Sequence, residues 1–528
     1  MIQAVNSGRR HQPAAACPHH AASRVGADVL QAGGKAVDAV VAMNAMLSVV
    51  YPHMCGLGGD TFILHYSAAD GQVRGINGSG PAPALASRDA FRARGLDAIP
   101  ARGPLPVTVP GTVGAWDEAL RRFGSRPLAE LLAPAEQAAR NGFEITAKLE
   151  SWIDISSPEL TDPLLRRNFF DAAGRPLAAG AVLRQPEVAA TLRRLMDHGA
   201  RDFYDGGIAE QIDAAVRAAD GLLRREDLAR YAPRWDTPLS MSYRGLEVFV
   251  TAPNSQGITA LMMLNALAAM DASQHAPGSA DHIEALVRAK RVAFADRDRY
   301  VTDPDHLEAP VEQLLSREHA RELLAIPESA LDPGRSSGGD TIYLCASDAE
   351  GNACSVIQSI FFGFGSAFVG GDSGVLLQNR GHYFSLEEDH PNRLEPGKRT
   401  LHTLMACMAF EGDDLRLVFG TMGADGQAQT NVQVLEHHLA GESPQEAVDA
   451  PRILHGRFYP DDDPTVLNVE ERMGADVIAE LAARGQEPNV LPGYDERLGH
   501  AHAIELRPDG STLAGSDPRS DGAAIVVA

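Results

Sequence analysis

Apolar and small residues fill Ala36–Val50 almost all the way round a helical period, so this segment predicts a helix buried on every side. A shorter helix is predicted before it, roughly Ala21–Ala32, stopped by the Gly33-Gly34 pair. The glycine turn in His53–Asp60 (HMCGLGGD) then feeds a strand over Thr61–Tyr66. A loop punctuated by Pro and Gly, Gly103–Gly114, leads into a helix over Ala115–Phe123, and helices are expected to dominate from there to about Ala219. A further amphipathic helix covers Asp281–Tyr300, with Ile283, Leu286, Val287, Val292 and Ala293 on its apolar side.

The texture changes at Asp332–Asp340 (DPGRSSGGD), a small, polar segment with the composition of a linker or a protease-sensitive loop. Directly behind it Thr341–Ser347 alternates, Asp348–Asn352 has turn chemistry, and Ala353–Phe362 returns as a second strand. Glycine-rich Gly363–Gly374 reads as a loop bordering a pocket, since it lacks the GxxxxGK of a phosphate cradle. Helices near Val432–Leu439 and Ala475–Arg484 follow among further strands. Helices first and a strand-rich remainder, without a βαβ rhythm, predict a layered α/β sandwich of the α+β kind, not a doubly wound sheet.

Composition narrows the function. The 528 residues are 44% hydrophobic and 22% charged, which is globular, and long enough for one large domain or several ordinary ones. The net charge of −23, with no run of Lys or Arg, argues against nucleic acid or an anionic membrane as partner. No apolar run is long enough to span a bilayer, and the opening residues lack the apolar core of a secretory signal. Five scattered cysteines without CxxC spacing fit buried thiols in a reducing compartment, so the cytoplasm is the expected location. His500-x-His502 has no acidic or Cys motif beside it, and no metal or cofactor is implied.

The informative residue is Thr341, a hydroxyl at the head of a strand behind a small, polar linker. A threonine hydroxyl is a weak nucleophile and needs an adjacent base. Were Thr341 a chain terminus, its own α-amine, titrating at about 7.7–8.0, would supply that base. A GGDT string alone is equally what a strand-leading threonine after any loop looks like.

Ordered motifs add to this reading: GGKAVDAVVA (Gly33–Ala42), GLGGD (Gly56–Asp60), VPGTVGAW (Val109–Trp116), APNSQGI (Ala252–Ile258) and AFADRDRY (Ala293–Tyr300). Beyond Thr341 come GDSGVLLQNR (Gly371–Arg380), PGKRTLHTL (Pro396–Leu404), GTMGADGQAQT (Gly420–Thr430) and GSDPRSDG (Gly515–Gly522). Along essentially its whole length the chain resembles the γ-glutamyltranspeptidase family of N-terminal-nucleophile (Ntn) hydrolases. The resemblance implies a four-layer αββα fold and a precursor cut between Asp340 and Thr341. Residues 1–340 would form the large subunit and 341–528 the small one, together making a single domain. It implies Thr341 as nucleophile, Ser359 as the hydroxyl supporting it, and the backbone amides of Gly423 and Ala424 as oxyanion hole, Ala424 standing where the family has glycine.

The departures bear on substrate. Where γ-glutamyl enzymes hold the α-carboxylate with an arginine, this chain has Ser79; where they hold the α-ammonium with a carboxylate, it has Tyr383. Arg380 replaces a Gln or Glu, His402-Thr403 replaces a serine pair, and Phe361 replaces an asparagine. Arg380 would repel an ammonium group and attract an anion. The pattern resembles the non-glutamyl branch, with oxamate amidohydrolase and the acylases that remove carboxylated acyl chains, and oxamate is the smallest such substrate. Arg380 could instead pair with Glu387, Glu388 or Asp389, and His402 could be a hydrogen-bonded core histidine. The expected partner is a small amide. γ-Glutamyl hydrolysis or transfer, and a non-catalytic binding relative, are the alternatives. Association of the cut protein into larger oligomers is left open.

Overall fold

The computed structural model describes residues 10–327, 330–331, 339–458 and 462–528. Most of the linker expected at Asp332–Asp340, residues 332–338, lies outside them. Two antiparallel sheets carry the architecture. The first has seven strands in the order Ala523–Val526, Ala14–Cys17, Asp340–Ser347, Ala353–Phe361, Asp60–Ser67, Gln72–Gly78 and Arg234–Asp236. The second has six: Thr512–Ser516, Ala501–Leu506, Asp414–Thr421, Cys407–Glu411, Leu246–Val250 and Leu239–Tyr243.

Strand alternation assigns each face its layer. On the strand Asp340–Ser347, Ile342, Leu344 and Ala346 join the helix Ala36–Val50 in one core, while Tyr343 and Cys345 face the second sheet. Met408, Phe410 and Val418 meet them from that second sheet, whose Cys407, Ala409, Leu417 and Phe419 turn outward. There they pack on the helices Gly257–Ala269, Ala280–Tyr300 and Gly426–Leu439. The result is four layers, helix–sheet–sheet–helix.

The helix expected over Ala36–Val50 is present with those bounds and is buried throughout. Others shift: the helix expected from Ala115 starts at Thr112, and the strand expected from Thr341 starts at Asp340. The stretch expected to be mainly helical also holds a two-stranded antiparallel sheet, Phe143–Glu144 with Val182–Leu183. No helix among the described residues is long and apolar enough to cross a membrane.

The pairing sets the site. Strands from both sides of residue 340 are interleaved in the first sheet, with Asp340–Ser347 held between Ala14–Cys17 and Ala353–Phe361. At one end of the sheet Asp60 pairs with Ser359, and Asp340 with Phe361. The ladder shifts register between Gln358 and Phe361, and such an irregularity re-aims the side chains within it.

Candidate active site

Thr341 is 1% exposed, second on its strand and still joined to Asp340. Ser359, paired with Asp60 but skipped in the ladder to the strand Asp340–Ser347, donates its hydroxyl hydrogen to the Asp340 carbonyl oxygen and accepts from the Phe361 N–H at 2.7 Å. The carbonyl of the Asp340–Thr341 peptide is thus polarised by a hydroxyl. Gln427 Nε2 lies 3.4 Å from Thr341 Oγ1.

The second sheet contributes the loop Met422–Asp425, which links the strand Asp414–Thr421 to the helix Gly426–Leu439. Gly423 has φ +123° and Ala424 φ +45°. Their carbonyls turn into the helix, accepting from Gly426 and Gln427 at 2.7 and 3.2 Å. Among the described residues neither of their N–H groups donates a hydrogen bond. Two free amides beside a helix N-terminus suit a developing oxyanion.

A buried network fixes this loop. Gln256 Nε2 donates to the Ala424 and Thr403 carbonyls at 2.8 and 2.6 Å, and its Oε1 accepts from Arg297 Nη1 at 3.2 Å. Arg297 pairs with Asp425, which also accepts from the Tyr383 hydroxyl at 3.1 Å. Burial pushes the Tyr383 hydroxyl well above its ordinary range, so Tyr383 is a neutral donor there.

Arg380 is 1% exposed. Its Nη1 donates to Thr403 Oγ1 at 3.2 Å, and the Phe361 ring covers one face with its centroid 4.0 Å away. Nε and Nη2, which form one edge of the guanidinium, are buried and have no partner among the described residues. Burial lowers the Arg380 pKa to about 10, leaving it charged at neutral pH. Among the described residues Arg380 forms no ion pair with Glu387, Glu388 or Asp389; the carboxylates it senses are Asp60 and Asp425.

His402 is fully buried, with Nε2 2.9 Å from Asp60 Oδ2 and Nδ1 accepting from the Leu404 N–H at 3.3 Å. Burial holds its pKa well below 6.5, so it is neutral and donates to Asp60. Desolvation raises Asp60 to about 7, against the pull of Arg380, Gln378 and the Gly80 amide. Ser79 is turned toward Asn77 Oδ1 at 2.6 Å. The structure therefore gathers Thr341, Ser359, Gly423 and Ala424 around one peptide bond. Arg380 and Tyr383 pack against the Phe361 ring and Arg380 also bonds Thr403, while His402 and Ser79 are engaged with Asp60 and Asn77. Gln256, Arg297, Asp425, Asp60 and Gln427 received no role from the sequence, although each lies inside one of the matched motifs. A buried amide or charge in such a motif was the available signal.

Two stacked antiparallel sheets between helix layers, with a hydroxyl residue at the head of an inner strand, define the Ntn-hydrolase class. The Gamma-glutamyltranspeptidase family profile matches residues 22–527. The chain is 39% identical over 516 residues to the glutathione hydrolase-like YwrD proenzyme of Bacillus subtilis, covering 96% of this chain and 97% of that protein. It is 37% identical over 526 residues to the oxamate amidohydrolase proenzyme of Klebsiella pneumoniae, covering 97% of each. The crystal structure of a cephalosporin acylase from Bacillus halodurans superposes with a TM-score of 0.88 at 35% identity, covering 98% of this chain and 96% of that one. The chain belongs to the γ-glutamyltranspeptidase family. It is an amide-bond hydrolase made as a self-cleaving proenzyme.

Proposed function

We propose that the chain cuts itself between Asp340 and Thr341, then uses Thr341 to hydrolyse small amides whose acyl half bears a carboxylate, with oxamate the simplest. The observation carrying the substrate half is the Nε/Nη2 edge of buried Arg380, unpartnered among the described residues. A side-on guanidinium edge matches the two oxygens of a carboxylate, and an orphaned buried pair of donors is costly until something accepts from it. Arg380 would also repel the ammonium of a γ-glutamyl group.

The cut begins with attack of the Thr341 hydroxyl on the Asp340 carbonyl, which Ser359 polarises. The acyl group shifts from nitrogen to oxygen, which frees the Thr341 α-amine, and water then cleaves the ester to restore the hydroxyl and part the two chains. That amine is then the base for the same hydroxyl in each turnover. The Gly423 and Ala424 amides would hold the oxyanion in both reactions, and a fixed cation at Arg380 would offset the charge of a neighbouring substrate carboxylate. The cytoplasm remains the proposed compartment.

Denaturing gels of the purified protein should show two chains divided after residue 340 of 528, the smaller beginning TIYLCAS by terminal sequencing. Thr341→Ala should stay whole and inactive. Cleavage of that variant at the same bond would sink the mechanism. On the cut enzyme, oxamate and glutaryl amides should surpass γ-glutamyl-p-nitroanilide in kcat/KM; the reverse order would overturn the substrate reading.

A further inference from the structure

Among the described residues the Thr341 hydroxyl has one hydrogen-bond partner, the side-chain amide of Gln427, whose Nε2 lies 3.4 Å from Oγ1. Gln427 is the second residue of the helix Gly426–Leu439 and is 0% exposed. Which end of its amide faces the threonine follows from the other end, which meets the Met405 N–H at 3.1 Å. A backbone N–H can only donate, so the amide oxygen must lie there and the NH2 must point at Oγ1. Burial and the Met405 bond hold the side chain in that orientation. Its place in the first turn also puts the donor at the positive end of the helix dipole.

We infer that Gln427 is a further catalytic residue, which donates to Thr341 Oγ1 while that oxygen carries negative charge, in self-cleavage and in turnover alike. The inference rests on Thr341 being the nucleophile, as proposed above. A hydroxyl oxygen that accepts from an amide turns its own hydrogen away from that amide, and among the described residues the Thr341 hydroxyl donates to none. Its hydrogen is therefore free to leave. As it does, charge grows on Oγ1, and a hydrogen bond to a charged oxygen is roughly twice as strong as one to a neutral oxygen. The Oγ1–C bond then forms, the C–N bond breaks, and the proton ends on the departing nitrogen. That nitrogen is Thr341's own in the cut and the substrate's in turnover. When water cleaves the ester, the C–Oγ1 bond breaks and charge returns to Oγ1 until it regains a proton, facing the same donor. Ser359 performs the matching task on the Asp340 carbonyl oxygen. A mere strut between helix and Met405 would need only the oxygen end of Gln427, and that difference can be measured.

Gln427→Glu keeps the oxygen that meets Met405; protonated, it still offers a hydrogen to Oγ1, and ionised it offers none. Gln427→Met removes both ends. Each variant is compared with wild type, per cut chain, on oxamate or a glutaryl amide, whichever is turned over faster, from about pH 5 to about pH 9, which brackets a carboxyl and the α-amine. Gln427→Met should lose about 10–100-fold in kcat with no rise in KM, and gels should show its self-cleavage slowed by a similar factor. The kcat ratio of Gln427→Glu to wild type should be near one at the acid end and fall by about 10–100-fold as pH rises. It should stay down at the alkaline end, where the α-amine is neutral in both proteins. A Met variant that is cut and turns over within about threefold of wild type overturns the inference, as does a Glu ratio that is flat or rises with pH. If circular dichroism shows the Met variant unfolded, the Glu ratio decides, since that side chain keeps the Met405 bond. Activity of Thr341→Ala on the same amide would sink the nucleophile itself. A dead Thr341→Ala beside an indifferent Gln427→Met would sink this inference alone.

Discussion

Arg380 presents one donor to Thr403 and one face to Phe361, and its buried Nε/Nη2 edge has no partner among the described residues. Arg380→Ala should cost about 2–4 kcal/mol in kcat/KM for a carboxylated amide, roughly 30- to 1,000-fold, and Arg380→Lys should recover only part because a point charge lacks the fork. Self-cleavage needs no substrate, so gels should show both variants cut. Asp60 adds a pH dependence. Held up to about 7 by burial, it is neutral below that pH and anionic above it, where it competes with the substrate for the field of Arg380. KM for an anionic substrate should therefore rise as pH increases through about 7. The pH profile of KM for Asp60→Asn should be flat over that window; an unchanged midpoint in KM would remove Asp60 from the account. Arg380 was legible because its charge departs from the resembling family. Asp60 was not, because an acid in a glycine turn reads as turn chemistry until its burial and its His402 partner are known.

At the scale of elements, the loop into the helix Gly426–Leu439 carries the two amides in two unlike backbone states. Gly423, at φ +123°, lies where side-chain-bearing residues essentially do not go, while Ala424, at φ +45°, is near the left-handed region that any residue can enter at a cost. Gly423→Ala should displace its amide and lower kcat by about 10²–10³-fold. Ala424→Gly keeps its donor and should stay within about threefold, since only backbone freedom changes. Equal losses in steady-state assays would mean that the loop works otherwise. The start of this helix was missed by six residues because its first turns are polar yet buried. Gln427, Gln429 and Gln433 are satisfied by the Met405 amide, by His455 and by Ile453. Amides hydrogen-bonded to backbone read in sequence as solvent-facing, which erases the apolar period. Where burial is apolar on all sides, as over Ala36–Val50, the helix was visible with its bounds.

Across the whole molecule, the layered class was legible from the helix-then-strand texture, but strand order was not. Ala14–Cys17 pairs with Asp340–Ser347 and with Ala523–Val526, partners more than 300 and 500 residues away, and local periodicity carries no information about such distances. That interleaving means that a cut after Asp340 separates the chain covalently while leaving the first sheet stitched from both pieces. The cut enzyme then has a memory of how it was made. Its shape was reached by one chain searching alone, and once melted the two fragments must find each other before the central strands can pair. Return becomes a second-order process, so the working enzyme persists by slow unfolding and not by reversible balance. Refolding from denaturant should show it: Thr341→Ala, left whole, should regain its structure with a yield independent of dilution, whereas the yield of the cut wild type should fall as the solution is diluted.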